Sequence, residues 1–210
     1  VPDVTYNRVT AQSVERLAAL SDGIFAVAMT LLVLDLHGPT KEAVHSEQDL
    51  LHALGSMTPQ IIAYLMSFLT LSIFWAGQQA QLNRFERSDR QLSWIHLLFL
   101  FAVSFLPFST RLLAEFITFR TPLLIYWVNL LSLGAVLYLS WWHAKRNKLL
   151  RDETTPEVSK AIERRILVAQ LLYAIGAALC LVSTYLSIAA IVLVQLNFAV
   201  APRIRWLSKF

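Results

Sequence analysis

Residues 16–36, RLAALSDGIFAVAMTLLVLDL, make an apolar run interrupted by charge only near its ends. At ~1.5 Å rise per residue it reaches about 30 Å, the thickness of a bilayer's hydrocarbon core. Arg16, Ser21 and Asp22 lie in its first third. Polar groups inside a span are costly in lipid, so they face protein or water and mark a functional site by default. Beyond Asp22 the segment is apolar or small until Asp35, except for Thr30.

The run has company. The chain has 210 residues, 56% hydrophobic and only 15% charged, where a soluble domain averages about 25%. The expectation is an all-α integral membrane protein with a single transmembrane domain over residues 1–210. Six spans are expected, at about 16–36, 60–81, 92–113, 122–142, 166–184 and 187–202. Gly38-Pro39 should stop the first. A short amphipathic helix is expected within the loop at 40–58. Pro107 should kink the third span, and the Trp141-Trp142 pair reads as an interfacial aromatic belt, with His143 beside it. Residues 143–165 read as a charged linker. Residues 166–201 are too long for one crossing, and Ser183, Thr184 and Ser187 suit a tight reversal.

Lys and Arg distribute unevenly on this topology. Fifteen fall on the side of the N-terminus, the 82–91 turn, the 143–165 linker and the C-terminus; three, Lys41, Arg111 and Arg120, fall on the other. The bias places both termini in the cytoplasm. It also explains the net charge of +4 without nucleic acid as a partner. No secretory leader is visible, so the first run reads as a retained span.

Enzyme motifs are absent: there is no Gly-rich phosphate loop, Cys-x-x-Cys, His-Glu-x-x-His or Gly-x-Ser-x-Gly. No cofactor is expected. His37, His45 and His52 share a loop at spacings of eight and seven, which suits solvated side chains better than a metal site. His96, in the third span, reads as a buried histidine bonded to a neighbouring helix, with a proton-relay role as the sharper alternative. Cys180 is the lone cysteine and reads as a small core residue.

On a helical wheel Leu20, Ile24, Val27, Leu31 and Leu34 gather on one face, with Gly23 and Thr30 at its edge. Asp22 lies about 140° from Val27, grouped with Ala26 and Met29. Arg16 and Asp22 are six apart, not a same-face spacing, so their partners belong to other helices: Trp75, Gln78, Gln79 and His96 are the candidates. Two readings of the stripe follow. It faces lipid or the bundle core, or it faces a symmetry axis and lines a pore, which one helix alone cannot enclose.

Arg16-x-x-x-Leu20-Ser21-Asp22, followed by Gly23-Ile24-Phe25-Ala26-Val27-Ala28-Met29-Thr30-Leu31-Leu32, resembles the signature span of the transmembrane protein 175 family, the endolysosomal potassium channels and their prokaryotic relatives. Leu20 stands where that family usually has Phe. Ser67-Phe68-Leu69 and Phe74-Trp75 resemble its second span, with Gln78 and Gln79 where it commonly has His. Leu106-Pro107-Phe108-Ser109-Thr110 resembles its third, with His96 where Asn is frequent.

The resemblance implies a homotetramer in a prokaryotic plasma membrane, multi-pass, with the first helices around a central pore that passes potassium ions. It implies apolar gate rings at Val27, Leu31 and Leu34, and selectivity at Thr30. Arg16, Ser21, Asp22 and Trp75 would form a structural network off the pore. Asp35, at the outer end, reads either as a ring that concentrates cations or as a solvated helix-end carboxylate. A proton or cation transporter and a non-conducting membrane scaffold are the alternatives.

Overall fold

The computed structural model describes residues 13–200. These form seven α-helices: α1 (Val14–Leu34), α2 (Glu47–Ser56), α3 (Thr58–Leu82), α4 (Arg90–Glu115), α5 (Arg120–Arg146), α6 (Pro156–Ala178) and α7 (Thr184–Val200), with 3-10 turns at Lys41–Ala43 and Leu179–Leu181. The protein is an all-helical membrane protein. Five helical stretches are long and apolar enough to cross a bilayer, and α7 is a shorter apolar helix.

Local chemistry sets most of the helix starts. The Ser13 hydroxyl accepts from Arg16 N to open α1, and the Asp89 carboxylate accepts from Leu92 N to open α4. Ser46 caps α2 by accepting from Asp49 N, while the Asp49 carboxylate accepts from His45 N. The Ser46 hydroxyl and the His45 amide hold the Asp49 carboxyl below its ordinary value. α1 ends at Leu34, before the expected stop at Gly38-Pro39, with Asp35 at its C-cap.

The charged linker expected at 143–165 is much shorter. α5 continues to Arg146, and α6 starts at Pro156, leaving residues 147–155 as the connection. The fifth span therefore begins ten residues earlier than the expected 166. Thr155 N-caps α6 by accepting from Val158 N, and Pro156 occupies the first turn, where its missing N–H costs nothing. Hydropathy marks where a helix enters lipid; its caps mark where the helix itself begins. The sixth span begins at Thr184 rather than 187, and the expected end at 202 lies outside the described residues. The reversal falls at 182–183, where both amides donate to Leu179 O. Ser187 Oγ donates across to Gly176 O at 2.7 Å. Gly176 permits that approach: a Cβ there would sit 3.1 Å from Ile191 Cγ1.

α4 and α5 pack along their lengths and carry the core, with Val103, Leu106, Leu113, Leu123, Leu130 and Leu133 fully buried. α1 packs on α3 and α4; α6 and α7 pack beside α5 and α3. α4 runs without interruption through Pro107. The Asn129 amide of α5, turned to satisfy both of its ends, donates to Ala102 O (3.0 Å) and accepts from Leu106 N (3.3 Å) in the turn preceding the proline. The helix is thus bonded from outside where proline weakens it from within.

A second cluster closes the other end. Phe85, Leu92, Trp141, Ala144 and Leu149 are buried together. Trp141 is fully buried, stacks on Phe85 and donates to Ser159 Oγ (3.3 Å). It belongs to the core, and only Trp142 of the expected belt pair is exposed. His143 is also buried, with Nε2 2.9 Å from Asp89 Oδ2. Glu86 N donates to Leu149 O and Arg151 N to Arg84 O, both at 2.9 Å, pairing the α3–α4 connection with the α5–α6 connection.

Candidate functional site

α1 has one face inside the subunit. Leu17, Ser21, Phe25, Ala28 and Leu32, spaced by three and four residues, are buried against α3 and α4. About 120° around the wheel from that face's centre lie Leu20, Val27, Leu31 and Leu34, 40%, 55%, 43% and 69% exposed. Ile24, at the stripe's inner edge, is half-buried against the core. Gly23 borders open space: a Cβ there would meet nothing within 4 Å.

Thr30 is exposed at the other edge. Its hydroxyl donates back to its own helix, 2.9 Å from Val27 O and 3.1 Å from Ala26 O. The hydrogen is spent on those carbonyls, while the oxygen keeps lone pairs to offer outward. At the helix end Asp35 is half-buried and shares a pocket with Arg111 and Glu115, which are themselves ion-paired at 2.9 Å. Its charge therefore has a cation nearby. His37 Nδ1 lies 2.9 Å from the Asp35 carbonyl.

Four interhelical contacts, at Leu17, Ser21 and Asp22, fasten the start of α1. Asp22 Oδ1 accepts from Trp75 Nε1 (2.8 Å) and from Gln79 Nε2 (2.7 Å), both on α3. Ser21 is fully buried, donates to Leu17 O (3.0 Å) and lies 2.8 Å from Nε2 of the buried His96 on α4. That same nitrogen is 3.0 Å from Leu17 O, which only accepts, so Nε2 carries the hydrogen. Nδ1 is then the acceptor for Gln78 Nε2 at 3.3 Å. Ser21, Asp22 and Trp75 are thus brought together with Gln78, Gln79 and His96. Arg16 is not: its side chain is exposed, with no hydrogen-bond or ion-pair partner among the described residues.

The pairwise spacings of the sequence give no sign of a second polar cluster, behind α1. Tyr126 is fully buried on α5, and its hydroxyl lies 2.9 Å from Thr70 Oγ1 and 3.3 Å from Ser67 Oγ of α3. Thr110 of α4 donates to Ser67 Oγ, and Gln195 Nε2 of α7 to Thr70 Oγ1 (2.7 Å). Four helices meet there through small hydroxyls. The available signal was polar residues recurring inside apolar runs, Ser67 and Thr110 among them. Among the described residues no group of three His, Cys, Asp or Glu side chains could hold a metal ion. Cys180 is free and buried in the turn after α6.

A family model described as the endosomal/lysosomal potassium channel TMEM175 matches residues 16–107, which run from the start of α1 to Pro107. The chain is 32% identical over 180 residues to a potassium channel of Streptomyces collinus, covering 83% of this chain and 86% of that one. It is 30% identical over 188 residues to a potassium channel of Chamaesiphon minutus, covering 88% and 92%. A crystal structure of a lysosomal potassium-selective channel TMEM175 homolog from Chamaesiphon minutus matches with a TM-score of 0.77 at 28% identity, over 90% of this chain and 97% of that one.

Proposed function

The chain belongs to the TMEM175 family, and from that premise we propose that it conducts potassium ions passively along an axis shared by four copies of α1. It is a multi-pass channel protein of a bacterial type, not an enzyme. In this reading the five long apolar helices and the shorter α7 all cross the membrane as one domain, in the plasma membrane of a prokaryote. Both termini are cytoplasmic, on the Lys and Arg count.

The observation that carries the reading is the division of α1. Its polar groups at Ser21 and Asp22 are bonded to α3 and α4, while Leu20, Val27, Leu31 and Leu34 project from the subunit. That division supports a helix aimed by its fastened face so that the bare face meets its symmetry mates. Val27, Leu31 and Leu34 would then stack as apolar rings one to two turns apart. Rings of this kind close a pore by dewetting, and conduction requires them to widen. An intact helix spends its carbonyls internally, so Thr30 supplies the outward oxygens on this stretch, and selectivity is assigned to it. Asp35, with Arg111 at hand, contributes a damped charge at the outer mouth.

Flux from proteoliposomes tests the proposal. Leu31→Asn wets the ring and should raise potassium flux at least about tenfold, equivalent to lowering the barrier by ~1.4 kcal/mol. Val27→Asn should act in the same direction. Unchanged flux in both variants, or no cation flux in the parent protein, overturns the pore assignment.

A further inference from the structure

A cavity lies between the halves of α3, α5 and α6 nearest the 83–89 and 147–155 connections, with Phe198 of α7 on its rim. It is a narrow slot of about 110 Å³ with mostly apolar walls. Arg165 stands at the rim, its guanidinium 5.9 Å from the Phe198 ring centroid, and no carboxylate pairs with it among the described residues. Tyr173, eight residues on, lies about 12 Å deeper along α6. Gln170 closes part of the floor by laying its amide against Gly134 and donating to Leu130 O (3.4 Å); a side chain at position 134 would occupy the same space.

We infer that this cavity holds one acyl chain of an anionic phospholipid of the inner leaflet, with the lipid phosphate on Arg165. An apolar slot between helices, headed by a guanidinium with no carboxylate partner among the described residues, matches such a molecule at both ends. Arg forks suit phosphate oxygens, and basic pockets between transmembrane helices on the cytoplasmic side bind anionic head groups. The chain's own residues 201–210 are the competing occupant, but they carry Arg203, Arg205 and Lys209, which Arg165 repels. The inner leaflet follows from the orientation proposed above. Lipid occupancy is read without any measurement of conduction, so the two proposals can fail separately.

The test is photolabelling of the full chain in nanodiscs with a phosphatidylglycerol carrying a diazirine on its acyl chain, against the phosphatidylcholine analogue. Labelled peptides should map to residues 73–81 and 162–173. The anionic lipid should label them about fivefold more, the preference expected of one basic group. Arg165→Gln should abolish that preference, while Lys160→Gln, an exposed charge on the same helix, should leave it. Ala169→Phe should reduce labelling by both lipids by filling the slot. Equal labelling by the two lipids, an equal effect of the two charge variants, or an unlabelled cavity overturns the inference.

Discussion

α1 and α5 are both apolar enough to cross a bilayer, but they are used differently. Half of the most apolar stretch of α5 is buried within the subunit; for α1 the share is 28%. α5 is gripped by α4, α6 and α3, and presents Tyr126 and Asn129 to the middle of the bundle. Among the described residues α1 packs chiefly on α3 and α4, along one narrow face. Hydropathy alone cannot separate a helix that holds a subunit together from one that is held by it. The separation appears only when burial is set beside the polar contacts.

The comparison breaks most sharply under truncation of matched leucines. Leu130→Ala on α5, where the side chain is fully buried, should cost about 2–5 kcal/mol in subunit stability. Leu31→Ala, 43% exposed on α1, should leave the unfolding midpoint in detergent close to that of the parent chain while changing flux. Equal destabilisation would put the α1 stripe in the subunit core and remove the distinction.

A smaller effect is expected at the fastening. Trp75→Phe keeps the ring and removes the N–H that Asp22 accepts, and should cost about 1 kcal/mol. Thermal unfolding of the purified channel measures it, and His96→Ala, which leaves the buried Ser21 without its α4 partner, should exceed it. The smallest effect on the subunit belongs to Arg16→Ala. With no partner for its guanidinium among the described residues, its loss should not shift subunit unfolding. A shift from the proposed tetramer to smaller species in light scattering would instead place its partner on a neighbouring copy.

The two helices also differ in how far they could be read from sequence. The faces of α1 follow from a 100° step, and Trp75, Gln79 and His96 were among the few polar residues available to meet Ser21 and Asp22. On α5 the wheel says little, because the helix is apolar nearly all round. The bonds of Tyr126 reach Thr70 and Ser67, and those residues reach on to Gln195 and Thr110. Such contacts depend on how four helices are arranged, which no local rule supplies. The long α6 was hidden for a different reason: its first ten residues are charged and helical at once. Thr155-Pro156-Glu157 is an N-terminal signature that hydropathy passes over. Trp141 was misplaced because tryptophan beside charge at a span's end suits an interface, whereas here the Phe85 ring and the Ser159 hydroxyl give it a buried site.

The inward bond of Thr30 has a consequence for anions. Between Leu20 and Leu34 the exposed stripe consists of aliphatic side chains, which have no hydrogen to give, and a threonine whose one hydroxyl hydrogen already points at Val27 O and Ala26 O. A chloride ion entering a passage built from four such faces would shed water and receive no donor in exchange, a loss without compensation in a narrow, weakly polarisable space. A potassium ion at the same level of the proposed tetramer would meet four oxygens. Valence discrimination would thus be written into a hydrogen-bond direction, with no charged side chain on that stretch of wall.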